Sequence, residues 1–127
     1  PPMNFLEGAI REENGKLFVD LDEFRVVIPE GKFKTIGNYV NKEVVFGIRP
    51  ENIHESNGAN EENAVVTMID VSELVGSEIN LYVSKGIHSF VARVDAHTDV
   101  QDGTEIKLFF NNQKIHLFDK ETEKAIP

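Results

Sequence analysis

Glycine- and proline-bearing turns cut this chain into short apolar runs at roughly ten-residue spacing, and that rhythm constrains its fold more than any other feature. Residues 4–10, 16–21, 24–28, 44–48, 64–74, 78–83, 89–94, 105–110 and 114–118 read as strands. They are rich in β-branched and aromatic side chains and too short for ordinary helices. Asn14-Gly15 supplies the positive-φ pair of a tight hairpin turn. Pro29-Glu30-Gly31, Ser84-Lys85-Gly86 and Asp102-Gly103 punctuate the later strands. Across 32–41 the apolar residues Phe33, Ile36, Tyr39 and Val40 recur at three- and four-residue spacing, which predicts one short helix. Residues 55–62 are polar and glycine-containing, an exposed loop that divides the strands into two groups. Residues 119–127 read as a frayed polar tail. The pattern is mainly β, and periodicity alone leaves a barrel and a small sandwich equally open.

At 127 residues the chain is one domain, 1–127, with room for one real core. Its formal net charge of −9 has the wrong sign for gripping a phosphate backbone, so nucleic acid is not an expected partner. Cysteine is absent, which removes disulfides, thiolate nucleophiles and cysteine-based zinc sites. The expected location is the cytoplasm.

Catalytic signals are thin. Neither Gly15-Lys16 nor Gly31-Lys32 is followed by the Ser or Thr of a phosphate-binding loop. The serines lack a Gly-x-Ser-x-Gly elbow. His54, His88, His97 and His116 are scattered, and His116 reads as a packing residue in the closing strand. Asp95, His97 and Asp99 alternate, so a strand would aim all three one way toward a cation, whereas a surface turn would scatter them. No catalytic residue and no metal ligand is assigned.

The segment Val44-Val45-Phe46-Gly47-Ile48-Arg49-Pro50-Glu51-Asn52-Ile53 runs a buried strand into a sharp corner. Pro50 cannot donate a ladder hydrogen bond, so pairing stops there, and it suits the first position of a short helical turn with Glu51 near the positive end. Arg49 is expected to fix the corner by bonding to carbonyls or a carboxylate.

Together with Pro2-Met3-Asn4-Phe5-Leu6, Gly76-Ser77-Glu78 and Ile115-His116-Leu117-Phe118-Asp119, the words Gly47-Ile48-Arg49-Pro50-Glu51 make the chain resemble a known family. It is the C-terminal regulatory domain, a transport-associated OB domain of TOBE type, of ATP-binding subunits of carbohydrate ABC importers. The stretch Asp95-Ala96-His97-Thr98-Asp99 departs from that pattern, lacking a central Pro and a basic residue. The resemblance implies an OB-type β-barrel that is regulatory and non-catalytic. ATP and magnesium would belong to an N-terminal nucleotide-binding domain that this chain lacks, and no cofactor is expected here. The implied partners are that domain, a second copy of the subunit, the membrane permease subunits and a cytosolic regulator, at the inner face of the cell membrane. Arg49, Glu51 and Asn52 become contact residues, and Val75, Gly76 and Ser77, small residues after a long strand, become the dimer contact. An alternative is a small-ligand sensor for an oxyanion or sugar phosphate, with Ser77, Lys85 and Ser89 as the anion's partners. An independent enzyme is the third reading and has the least support.

Overall fold

The computed structural model describes residues 2–58 and 62–127. Among the described residues ten strands form two five-stranded sheets. The first comprises β1 (Asn4–Glu13), β2 (Lys16–Asp20), β3 (Arg25–Val27), β4 (Glu43–Ile48) and β10 (His116–Asp119), in the order β10-β4-β1-β2-β3. The second comprises β5 (Ile53–Glu55), β6 (Ala64–Val75), β7 (Glu78–Lys85), β8 (His88–Asp95) and β9 (Glu105–Phe110), in the order β5-β9-β6-β7-β8. Neighbouring strands within each sheet run antiparallel. The chain is a mainly β, nearly closed barrel with almost no helix, the form that the OB-type resemblance implies and that turn spacing alone leaves level with a sandwich.

Alternation builds the core. Along β8, His88, Phe90, Ala92 and Val94 are buried while Ser89 and Asp95 face out. Phe110 is fully buried, its ring 5.5 Å from Phe24, 5.4 Å from Phe90 and 6.2 Å from Phe46. Phe46 belongs to the first sheet and Phe90 to the second, so this cluster joins the two layers.

Asparagine side chains cap two strand edges, those of β8 and β3. In β8 the N–H and C=O of Val91 point away from β7. Asn4 satisfies both, its Oδ1 accepting from Val91 N at 2.9 Å and its Nδ2 donating to Val91 O at 2.8 Å. On the opposite edge Val27 of β3 is treated alike: its N–H donates to Asn63 Oδ1 and its C=O accepts from Asn112 Nδ2, each at 2.8 Å. A side-chain amide presents both a donor group and an acceptor, so it can complete a strand edge as another strand would.

Several expectations are corrected. The helix over 32–41 is only a four-residue 3-10 helix, Ile36–Tyr39, with no side-chain cap at Thr35, and Asn41 at φ 65 turns the chain away. Ile36 is buried and Val40 bridges Ile10, so the apolar spacing reflects separate anchors and not one helical face. The tail does not fray: Ile126 is buried, its N–H donates to Leu117 O at 2.8 Å, and Ala125 bridges Phe118. The 55–62 loop divides the sheets incompletely, because β5 precedes it yet pairs in the second sheet and β10 follows it yet closes the first. Residues 59–61 of that loop lie outside the described residues, and Glu55 already belongs to β5.

Asp119 organises the tail. Its Oδ1 accepts from Glu121 N at 2.9 Å and Thr122 N at 3.0 Å, and its Oδ2 accepts from Tyr39 Oη at 2.9 Å. The backbone bond from Thr122 and then the Tyr39 hydroxyl hold its carboxyl below the ordinary value of 3.8. A folded value below the unfolded one stabilises the fold above that ordinary value, and the contribution disappears as pH falls through the folded one. The stability gap between wild type and Asp119→Asn is therefore expected to be constant from neutrality to about pH 4 and to narrow below it, as read by urea unfolding. A gap unchanged down to about pH 2 would show that the charge of Asp119 does not matter.

Candidate functional site

The sequence landmarks converge. In the first sheet Phe5 of β1 and His116 of β10 flank Gly47 of β4 as direct cross-strand neighbours, so three separate sequence words form one transverse row. Gly47 is small for a reason. A Cβ there would lie 2.7 Å from Met3 Sδ and 3.1 Å from the Phe118 ring, which cross over it, and Phe118 meets Phe5 edge-on at 5.8 Å between centroids. His116 is exposed in this row, not packed as the sequence suggested.

At the end of β4 the chain enters the predicted corner, a 3-10 helix Pro50–Asn52 with Pro50 buried. Backbone bonds close it: Asn52 N donates to Arg49 O at 2.9 Å, and Ile53 N donates to Pro50 O. Asn52 is half-buried and its O accepts from Asn111 N at 3.0 Å. The expectation for Arg49 is corrected. Its side chain is exposed and makes no hydrogen bond or ion pair with a described residue, because the buried Pro50 ring and the backbone already fix the turn. Arg49→Ala is expected to change stability by under about 0.5 kcal/mol, as for other surface substitutions. A loss above about 1.5 kcal/mol by urea unfolding would restore the bracing role.

Arg93 is the residue that sequence reasoning missed. Its Nε donates to Asn80 Oδ1 at 3.1 Å, and its guanidinium lies 4.0 Å from the Glu51 carboxylate. Asn80 is in turn the cross-strand neighbour of Glu73. A polar row Glu51–Arg93–Asn80–Glu73 thus runs across the outer face of the second sheet. The next row holds Asp95, Glu78 and Val75. The corner residues and the Val75-Gly76-Ser77 turn, far apart in sequence, share this face. Only the pairing register could reveal it.

Gly76 sits at φ 62 in the two-residue β6–β7 turn with open space around its Cα, and Val75 and Ser77 are exposed. The Ser77, Lys85 and Ser89 trio is not brought together: Ser77 precedes β7 and Lys85 ends it, roughly 25 Å apart at strand rise. Asp95 and His97 meet at 2.9 Å, but Asp95 also accepts from His97 N at 2.8 Å, which makes this a surface turn. These bonds, the backbone one first, lower the Asp95 pKa. Among the described residues no three His, Cys, Asp or Glu side chains gather as a metal site would require.

Comparisons with known proteins agree with this layout. A model of the MalK OB fold domain matches residues 1–53, and a model of the TOBE domain matches residues 46–118. The chain belongs to the TOBE domain family. The two matches overlap over 46–53, the strand end and corner just described. Similar proteins include the oligosaccharides import ATP-binding protein MsmX of Bacillus subtilis, 38% identical over 99% of this chain and 35% of that protein. The trehalose/maltose import ATP-binding protein MalK of Thermococcus litoralis is also 38% identical, over 99% of this chain and 35% of its own length. The multiple sugar-binding transport ATP-binding protein MsmK of Streptococcus mutans is 39% identical, over 99% and 34%. The chain spans about a third of the length of these relatives. Among solved structures it resembles the cytoplasmic molybdate-binding protein ModG, with a TM-score of 0.66 over 98% of this chain and 96% of that one. At 13% identity that likeness concerns the fold alone.

Proposed function

We propose that this TOBE domain is the regulatory and dimerisation part of the ATP-binding subunit of a carbohydrate importer, with no turnover of its own. The observation that carries this reading is that the chain matches one third of sugar-import ATP-binding proteins at nearly 40% identity, from end to end of its own length. Its sequence lacks a Gly-Lys-Ser/Thr phosphate loop, so nucleotide and magnesium would be held by the remainder of such a subunit. The partners are that ATP-binding domain, a second subunit, the permease subunits at the cytoplasmic membrane face, and a cytosolic regulator. Arg49 and Glu51 suit a contact role, since both side chains are exposed beside a rigid, buried proline.

Two measurements test the reading. Antibody against this domain should detect, in cells that express the gene, a protein about three times its size, as the one-third coverage implies. The isolated domain should show no shift in thermal stability with magnesium-ATP, which binding to the folded state would produce. A free 14.3 kDa product, or ATP turnover by the purified domain, would overturn it.

A further inference from the structure

The outer face of the second sheet carries an apolar stripe that the core does not require. In β7, Leu81 and Val83 are buried, so Tyr82 and Ser84 face out. Their cross-strand neighbours in β6, Val71 and Met68, therefore face out with them. These two lie three positions apart, and plain alternation would set them on opposite faces. The bulge between Ile69 and Val71 returns Val71 to the outside. Val66, two positions before Met68, continues the line. Val66, Met68, Val71 and Tyr82 are each 39–52% exposed, and contiguous apolar surface of this kind points to a contact.

Carboxylates line both sides of the stripe. Glu105 of β9 stands directly opposite Met68. On the β7 side, Asp70 accepts from Ser84 Oγ at 3.3 Å and Glu73 accepts from Tyr82 Oη at 3.4 Å, so both carboxylates are drawn over this face. No described Lys or Arg forms an ion pair with Asp70, Glu73 or Glu105. The first sheet differs, because its cations are interleaved with its acids: Arg11 is 3.8 Å from Asp20, Arg25 is 3.2 Å from Glu13, and Lys120 is 3.3 Å from both Glu7 and Glu43. Beside the stripe only Lys107, opposite Val66, is basic among the described residues in register with it, which leaves the face negative.

We infer that this face docks a cationic amphipathic helix of another protein, its apolar side on Val66, Met68, Val71 and Tyr82 and its Lys or Arg residues reaching Asp70, Glu73 and Glu105. Length and charge both fit. From Val66 to Val71 the stripe runs roughly 15 Å at strand rise, which about three helical turns would cover. A helix with a narrow apolar stripe carries its cations on both flanks, where the sheet carries carboxylates. The flexible thioether of Met68 adapts to varied apolar partners. A second copy of the chain would bring the same carboxylates against their own kind, and nucleic acid or an anionic membrane would be repelled. Such a helix would be recognised whether or not the domain serves an importer.

The test is an amide NMR titration of the isotope-labelled 127-residue chain with a synthetic leucine–lysine peptide of about 12 residues, its leucines at helical spacing. The expected result is micromolar binding, with shifts concentrated at Val66, Met68, Val71 and Tyr82, and no binding of the same peptide carrying Glu in place of Lys. Asp70→Asn with Glu105→Gln should weaken it more than about tenfold, as should Met68→Ser with Val71→Ser. Removing two charges elsewhere, by Glu12→Gln with Glu30→Gln, should weaken it less than about threefold. Thermal unfolding checks that the variants fold, and the wild-type shift map needs no variant. Equal losses from the two charge pairs, or shifts spread over both sheets, would reduce the attraction to net charge and overturn the site. Binding to phosphatidylglycerol vesicles, or self-association, that the serine pair abolishes would give the face to a membrane or to a second copy and overturn the helical partner.

Discussion

Phe110→Ala is expected to remove about 3–5 kcal/mol of stability, a large share of the 5–15 kcal/mol typical of a domain. Phe110 is fully buried and its ring meets Phe24, Phe46 and Phe90, which come from both sheets and from the loop before β3. Truncation deletes those contacts and leaves a cavity that three other large rings cannot fill without leaving their own positions. Phe110→Leu keeps most of the volume and should lose about half as much or less. Urea midpoints for the two variants check this. An alanine loss below about 1.5 kcal/mol would mean that the sheets close over the gap, and that this cluster is not what joins them.

Much of the β architecture is legible in the sequence, because two-residue alternation and turn chemistry are local. Asn14-Gly15 takes the positive φ pair that its residue types favour, at 53° and 80°, and Asp102-Gly103 turns with Gly103 at 82°. Reading fails where a residue's partner is distant. Ile126 is a lone apolar residue in a polar tail, so it generates no period, yet it is buried and its N–H bonds to Leu117. Phe33, Ile36, Tyr39 and Val40 show helical spacing without forming one helical face: Ile36 is buried in the core, the Tyr39 hydroxyl donates to Asp119, and Val40 bridges Ile10. At the candidate site the corner was predictable from Pro50, whereas the role of Arg49 was not: whether a guanidinium braces a turn depends on acceptors that only tertiary structure supplies. Arg93 carries no local signal. Its meaning comes from standing between Asn80 and Glu51, residues 13 and 42 positions away.

Asn4 concentrates this lesson in one side chain, and its removal is the second large effect expected. Asn4→Ala leaves the N–H and C=O of Val91 without partners, at about 1–3 kcal/mol for each orphaned group less what water recovers at the edge, or about 2–4 kcal/mol in all. Asn4→Asp is the sharper probe. It keeps the acceptor for Val91 N but turns the donor to Val91 O into a second acceptor, so two oxygens face each other where a bond stood. The aspartate variant should therefore be no more stable than alanine at neutral pH, despite its matching shape. It should regain stability as acid protonates the carboxyl and restores a donor. Both variants also uncover the β8 edge, which Asn4 now blocks, and should aggregate on heating where wild type does not. Asn63 and Asn112 serve Val27 on the opposite edge and share no partner with Asn4, so losses from Asn4→Ala and Asn112→Ala should add to within about 0.5 kcal/mol. Urea unfolding of the single and double variants decides the matter. An Asn4→Asp domain as stable as wild type at pH 7 would show that Val91 O needs no donor and that the edge is closed by packing alone.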